Sequence, residues 1–169
     1  MIDPGTQPDG EEYKAYCRRR WGGDGWTGSL RAAGRQMGEK TAFANWKTWP
    51  NTLHANRVLL AADAQGLGGR LTDIICRKLY EEGENVSLRE TVGRAAEEAG
   101  VVDGARLAAS DEGLDELKAQ LKNPLAGGKR VSAAPTFSVN DGAYVFSGAQ
   151  ETTRWKLILE HFATDDDDA

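Results

Sequence analysis

The thiols and imidazoles of this 169-residue sequence, the side chains best suited to redox or zinc chemistry, are Cys17, Cys76, His54 and His161. Thiol–disulfide exchange needs a thiolate of lowered pKa with a resolving thiol beside it, which a CxxC at a helix N-terminus supplies. The chain has no CxxC, and its two cysteines are too far apart in sequence for one. Cys17 is followed by Arg18, Arg19 and Arg20, whose charges would lower its pKa, yet a half-buried packing residue is the plainer expectation there. Cys76 follows Ile75 on an apolar helix face and is expected in the core. Neither histidine has a second ligand at metal spacing. No GxSxG or HExxH is present, and the glycines of GLGGR, residues 66–70, follow no strand, so no phosphate cradle is expected. The residues thus give no catalytic group, no metal site and no cofactor.

Charge narrows the partners. The net charge is −5, with four of the acids in the run Asp165–Asp168, so no basic surplus exists to neutralise phosphates and nucleic-acid binding is not expected. No apolar run approaches the ~20 residues that cross a bilayer. The opening MIDPGTQPDGEEY lacks the pattern of a secretory signal, and with no disulfide framework a cytoplasmic protein is expected.

The elements that must position any site are mostly helical, and the expected class is α+β. Residues 1–10 read as irregular. Asp9 is a candidate N-cap for EEYKAYCRRRW, with Glu11 and Glu12 in the first turn. A second helix would present Trp26, Leu30, Ala33 and Met37 on one face. Phe43, Trp46 and Trp49 suggest a loop packed onto the body. After Pro50, a third helix would bury Leu53, Asn56, Leu60 and Ala64, with Leu59 beside them. A fourth, from about Arg70 to Glu82, carries Leu71, Ile74, Ile75 and Leu79 as a buried stripe. Ser87 and Glu90 form a candidate capping box for a fifth helix that Gly100 closes. Asp103 and then Ser110 or Asp111 would cap two further helices, the second spaced by Leu114, Leu117 and Leu121 and disturbed at Asn123–Pro124.

The texture then changes. Thr136–Asn140 and Tyr144–Ser147 are rich in aromatic and β-branched residues around the turn residues Asn140, Asp141 and Gly142, which predicts a hairpin. Apolar residues on both faces, Phe137 and Val139 on one strand and Val145 against Tyr144 and Phe146 on the other, suggest a place inside a larger sheet. A last helix after Gln150 would turn Trp155, Ile158, Leu159 and Phe162 inward, and the DDDDA end would be a solvated tail. Pro135 stands at the hairpin's entrance.

The run AAPTFSVNDGAYVFSGAQ, residues 133–150, resembles the C-terminal part of the DsbA-like thioredoxin-fold family, specifically its FrnE-type branch, which is related to 2-hydroxychromene-2-carboxylate isomerases. PNTLHANRVLLAA resembles the start of that family's helical insertion, YEEGENVS a helix connection, and EEYKAYCRRRWGG the segment after its second strand. The resemblance implies a cis peptide before Pro135 and an incomplete thioredoxin-like fold. On it, residues 11–126 are the helical insertion region, 127–163 the β-β-α end and 164–169 an acidic disordered tail. It also implies that the family's N-terminal β-α-β segment, which bears the CxxC, has no counterpart in this sequence. Asn56 stands where relatives commonly have histidine.

In that family the backbone before the proline pairs with an extended substrate segment. This carries substrate binding to Ala134 and Pro135, and less directly to Ala133. Catalysis by this chain alone is not expected, and its partners would be a protein or small thiol substrate. Two alternatives remain open. A kappa-class type of isomerase or transferase would use glutathione, although Gly148-Ala149-Gln150-Glu151 lacks that group's Asp-Arg pair. A non-catalytic interaction module would self-associate through its exposed sheet edge.

Overall fold

The computed structural model describes residues 3, 5–38, 43–122, 125, 126 and 128–163. The protein is mixed α and β and 55% helical. Its described strands form three separate two-stranded antiparallel sheets. The chain divides into two compact units, residues 2–117 and 118–169. The expected disturbance at Asn123–Pro124 and the acidic tail lie outside the described residues.

The first unit begins with strand β1, Glu11–Glu12, which pairs with β2, Thr48–Trp49. Helix α1, Tyr13–Trp21, therefore starts later than the sequence predicts, and its N-cap is Glu12, not Asp9. The Glu12 carboxylate accepts from the amides of Lys14 (3.0 Å) and Ala15 (2.6 Å), satisfying two of the helix's otherwise unpaired donors. Aromatic packing holds this register: Tyr13 stacks on Trp46 at 4.4 Å and Tyr16 on Trp49 at 4.3 Å. The aromatic loop is indeed packed down, with Trp46 buried.

Helix α2, Thr27–Gln36, does not bury the predicted face. Trp26, Leu30 and Met37 are exposed, and Thr27 is the buried residue. The Tyr13 hydroxyl bonds to Thr27 Oγ1 at 3.0 Å, which turns the Thr27 side inward. Helix α3, Leu53–Asp63, is rotated in the same sense: Ala55, Arg57, Val58 and Ala62 are buried and Leu60 is exposed. It packs against α4, Gly68–Arg77, and α5, Arg89–Ala99. The small residues Ala55 and Ala62 on α3, with Ala95, Ala96 and Ala99 on α5, let the backbones approach; a leucine face would hold them apart. Leu71, Ile74, Ile75 and Leu79 are buried as predicted, the last in a π-helical turn, Lys78–Glu82, that extends α4.

The capping box at α5 does not form. Ser87 Oγ accepts from the Asn51 amide at 2.8 Å, tying two distant loops, while Glu90 pairs with Arg94 at 3.0 Å. Gly100 closes α5 as predicted, at φ 83°, with the Val101 amide reaching back to the Ala96 carbonyl at 2.9 Å. Helix α6, Gly104–Ala109, crosses close over α5; a Cβ on Gly104 would stand 2.7 Å from Ala96 Cβ. Asp103 precedes it with no side-chain cap bond. Helix α7, Leu114–Lys122, spans the boundary between the units and buries Leu117.

Buried Lys78 anchors a charge network, its Nζ lying 3.0 Å from Glu84, 3.6 Å from Glu82 and 3.6 Å from Glu98. Arg94 bonds Glu84 from the other side. Burial alone pushes the Glu84 carboxyl up, but the Lys78 and Arg94 hydrogen bonds outweigh it and hold the group below its ordinary 4.5. A depressed folded-state pKa stabilises the protein above the unfolded value, and that stabilisation is lost as pH falls through the folded value. The melting temperature is therefore expected to fall on acidification below about pH 4.5. Glu84→Gln should lower it at neutral pH, with the gap to the parent closing in acid; a gap constant with pH would contradict this assignment.

In the second unit, β3, Leu125–Ala126, pairs with β4, Lys129–Arg130. The predicted hairpin follows: β5, Thr136–Val139, and β6, Tyr144–Ser147, pair Thr136 with Ser147 and Val139 with Tyr144. β5 ends one residue early because Asn140 and Asp141 take positive φ, 49° and 48°, with Gly142 at 93°. The Ala143 amide closes this turn on the Asn140 carbonyl at 2.9 Å. The register puts Phe137, Val139, Tyr144 and Phe146 on one face and Thr136, Ser138, Val145 and Ser147 on the other. The second face is thus mainly hydroxyl-bearing, not apolar as expected. Helix α8, Thr152–Ala163, covers the aromatic face: Trp155 lies 4.8 Å from Phe137 and 5.3 Å from Phe146 between ring centroids. Ile158 is buried and Phe162 half-buried. Leu159, expected inward, is 55% exposed, because the hairpin rings contact the line of Trp155 and Phe162 and leave it to one side.

Candidate functional site

The segment ahead of the hairpin has few side-chain atoms, so its chemistry lies in its backbone. Ala133, Ala134 and Pro135 are all exposed. The Ala134–Pro135 peptide is cis, the isomer that the resemblance implies. Two hydrogen bonds fold the segment against the strands. The Pro135 carbonyl accepts from the Gly148 amide at 2.8 Å, just beyond the end of β6. The Ala133 carbonyl accepts from Thr136 Oγ1 at 2.6 Å, and Thr136 Oγ1 lies 2.8 Å from Ser147 Oγ.

Counting groups over the three residues gives a simple result. Pro135 has no N–H and its carbonyl is taken, and the carbonyl of Ala133 is taken as well. Ala134 alone of the three has both N–H and C=O without a partner among the described residues. A donor and an acceptor on one exposed residue are what an antiparallel partner strand needs to pair, as in strand addition. The three sequence-assigned residues are therefore contiguous on the surface, but only Ala134 offers a complete pairing edge. Sequence reasoning did not single out Thr136 and Ser147. The signal was present: counting outward from a turn at residues 140–143 makes them the last cross-strand pair.

The thiols stand elsewhere, and the structure reverses their expected environments. Cys17 is fully buried rather than half-buried. Burial pushes its thiol up, and the charges of Asp24 and Glu12 push the same way. The three arginines that follow it are exposed and do not reverse this. Cys76 is exposed while Ile74 and Ile75 take the core. Its thiol is also raised, by partial desolvation and then by the Asp73 charge. Neither is a low-pKa nucleophile.

His54 lies in α3 and His161 in α8. No three His, Cys, Asp or Glu side chains among the described residues are placed to hold a metal ion, and no described helix is long and apolar enough to cross a membrane. An apolar groove of about 520 Å³ lies between the hairpin turn and α8, lined by Tyr144, Arg154, Leu157, Ile158, His161 and Phe162. It sits at the opposite end of the hairpin from Pro135.

Neither protein-family models nor curated proteins give a match to this sequence.

Proposed function

We propose that residues 118–163 form the substrate-pairing part of a DsbA-like, FrnE-type thiol–disulfide oxidoreductase, an incomplete thioredoxin-like fold whose redox cysteines lie outside these 169 residues. The observation that carries the reading is the open backbone of Ala134, held at the mouth of a hairpin whose other face is fixed by Trp155 of α8. An extended polypeptide would pair with Ala134 through its own N–H and C=O, bringing a cysteine sulfur alongside Pro135. A CxxC thiolate supplied there would attack one sulfur of the substrate disulfide. The new S–S bond joins enzyme and substrate, and the electron pair of the old bond leaves with the second substrate sulfur as thiolate. The resolving thiol of the CxxC, deprotonated, then attacks the mixed disulfide and frees the reduced substrate. Within this scheme the present chain aligns the substrate and supplies no nucleophile.

Binding can be tested without the chemistry. An isotope-labelled 169-residue chain is titrated with a short unstructured peptide bearing one S-methylcysteine among glycines and serines, and amide shifts are followed. The largest changes are expected at Ala133, Ala134 and Thr136. Changes absent from these residues at millimolar peptide would overturn the reading.

A further inference from the structure

The hydroxyl pair beside the candidate site fixes which backbone groups are open. A threonine hydroxyl has one proton to donate and two lone pairs to accept with. Thr136 spends its proton on the Ala133 carbonyl at 2.6 Å. The 2.8 Å contact with Ser147 Oγ therefore has Ser147 as donor and Thr136 as acceptor. The result is a directed relay from Ser147 to Thr136 to Ala133. It spans the first cross-strand pair of the hairpin, on the face away from the aromatic residues. The Gly148 amide, just past the end of β6, takes the Pro135 carbonyl independently. These bonds close the acceptors on both sides of Ala134 and, among the described residues, leave its own pair open.

We propose that Thr136 is a positioning residue that sets the register of substrate pairing. By occupying the Ala133 carbonyl, it makes Ala134 the one pairing point, so that an extended polypeptide docks in a single register rather than sliding by a residue. Slippage matters because a one-residue shift in a strand turns every side chain to the other face. A substrate cysteine held in the wrong register would point away from Pro135. The ligand class is an extended, unfolded polypeptide segment read through its backbone, since Ala133 and Ala134 present only methyl groups. This rests on the functional reading above and names what holds its site in shape.

The test uses the full chain, the same S-methylcysteine peptide and three variants. Thr136→Val removes the hydroxyl and keeps the shape; Thr136→Ser keeps the hydroxyl and removes the methyl; Ser147→Ala removes the outer donor. In the free protein, Thr136→Val should shift the Ala133 carbonyl carbon toward its value without that bond, while the Gly148 amide stays protected from exchange. Peptide affinity should drop about tenfold in Thr136→Val, because the segment loses the bond that holds Ala134 in its pairing geometry before the peptide arrives. It should stay within about twofold of the parent in Thr136→Ser and fall between the two in Ser147→Ala. Equal binding by Thr136→Val and the parent would overturn the proposal, as would equal losses in the valine and serine variants, since the methyl would then be what matters. If Thr136→Val frays the hairpin and exposes Gly148, Thr136→Ser and Ser147→Ala decide by the same criteria. A parent chain that shows the Ala133 carbonyl shift on mutation but never binds the peptide sinks the functional reading, and the register role with it, while leaving the relay itself in place.

Discussion

Insulin-disulfide reduction by the 169-residue chain is expected to proceed no faster than with a simple free thiol. It should rise by about a hundredfold or more when a CxxC-bearing β-α-β segment is joined to its N-terminal end. The size of the change follows from the thiols. Cys17 is fully buried with its pKa raised, and Cys76 is raised as well. A thiol whose pKa is two units above the ambient pH is only about 1% thiolate, and it is the thiolate that attacks. Neither cysteine has a resolving partner, since both are free. A CxxC thiol at a helix N-terminus, with pKa near 7 or below, is about half ionised or more at neutral pH and carries its resolving thiol with it. Changing both Cys17 and Cys76 to serine should bring the parent's slow background rate down to that of the assay without protein. Parent turnover well above the free-thiol rate that this double change abolishes would refute the assignment of chemistry outside these residues. A joined protein that folds yet reduces insulin no faster than the added segment alone would refute the substrate-pairing role.

Arg57→Met is expected to cost about 3–5 kcal/mol of stability, roughly a 10 °C fall in melting temperature for a chain of this size. Arg57 lies in α3 and is 3% exposed. Its guanidinium donates to the carbonyls of Leu107 (2.7 Å) and Ala108 (3.2 Å) in the last turn of α6, and of Glu112 (2.8 Å) beyond it. The Leu107 and Ala108 carbonyls belong to the C-terminal end of α6, where the helix's own donors run out, and Leu107 also accepts from the Ser110 amide and hydroxyl. One side chain thus caps α6 and ties it to α3. Burial lowers the Arg57 pKa, and the nearby Arg89 charge lowers it further, opposed by Asp111 and Glu112. An arginine remains charged under such a shift, whereas a lysine here would lose its proton more readily and has no planar fork to reach three acceptors. Methionine keeps the stem's volume and takes the guanidinium donor from the Ala108 and Glu112 carbonyls, while Leu107 keeps its bonds from Ser110. Arg57→Lys should be intermediate. A methionine variant within about 1 kcal/mol of the parent in urea unfolding would show that the capping bonds are dispensable.

The sequence carried the hairpin and the last helix well because both signals are local. The turn at Asn140, Asp141 and Gly142 sets the register by itself, and Trp155, Ile158 and Phe162 recur at the helical period. The stripe on α4 and the glycine closing α5 were legible for the same reason. What failed was the facing of helices whose orientation is fixed by distant polar partners. Nothing near Thr27 in sequence signals that it bonds Tyr13, so the apolar Trp26–Met37 face was expected inward. Nothing near Ser87 signals Asn51, so its hydroxyl was assigned to a local cap. Arg57 was invisible for a related reason. An arginine inside a helix reads as a solvated residue until the open carbonyls of a short helix some fifty positions away are brought to it. Cys76 is exposed although α4 buries its expected stripe, because it stands one position past Ile75 and off that stripe. At the candidate site, the residues before Pro135 came from family resemblance, while the hydrogen bonds that single out Ala134 required the coordinates.

On the proposed reading, substrate is aligned at Ala134 by a chain whose own thiols take no part. Trapping tests this most directly. The joined protein with its resolving cysteine changed to alanine would be left to exchange, in its reduced form, with an unfolded disulfide-containing substrate. Its remaining CxxC thiolate forms the mixed disulfide as one substrate sulfur leaves as thiolate. Amide hydrogen exchange of the trapped complex would then be compared with that of the free protein. The substrate should be bonded to the added CxxC cysteine, and the Ala134 amide should become protected. A trapped substrate bonded through Cys17 or Cys76, or an Ala134 amide that exchanges as fast in the complex as in the free chain, would contradict it.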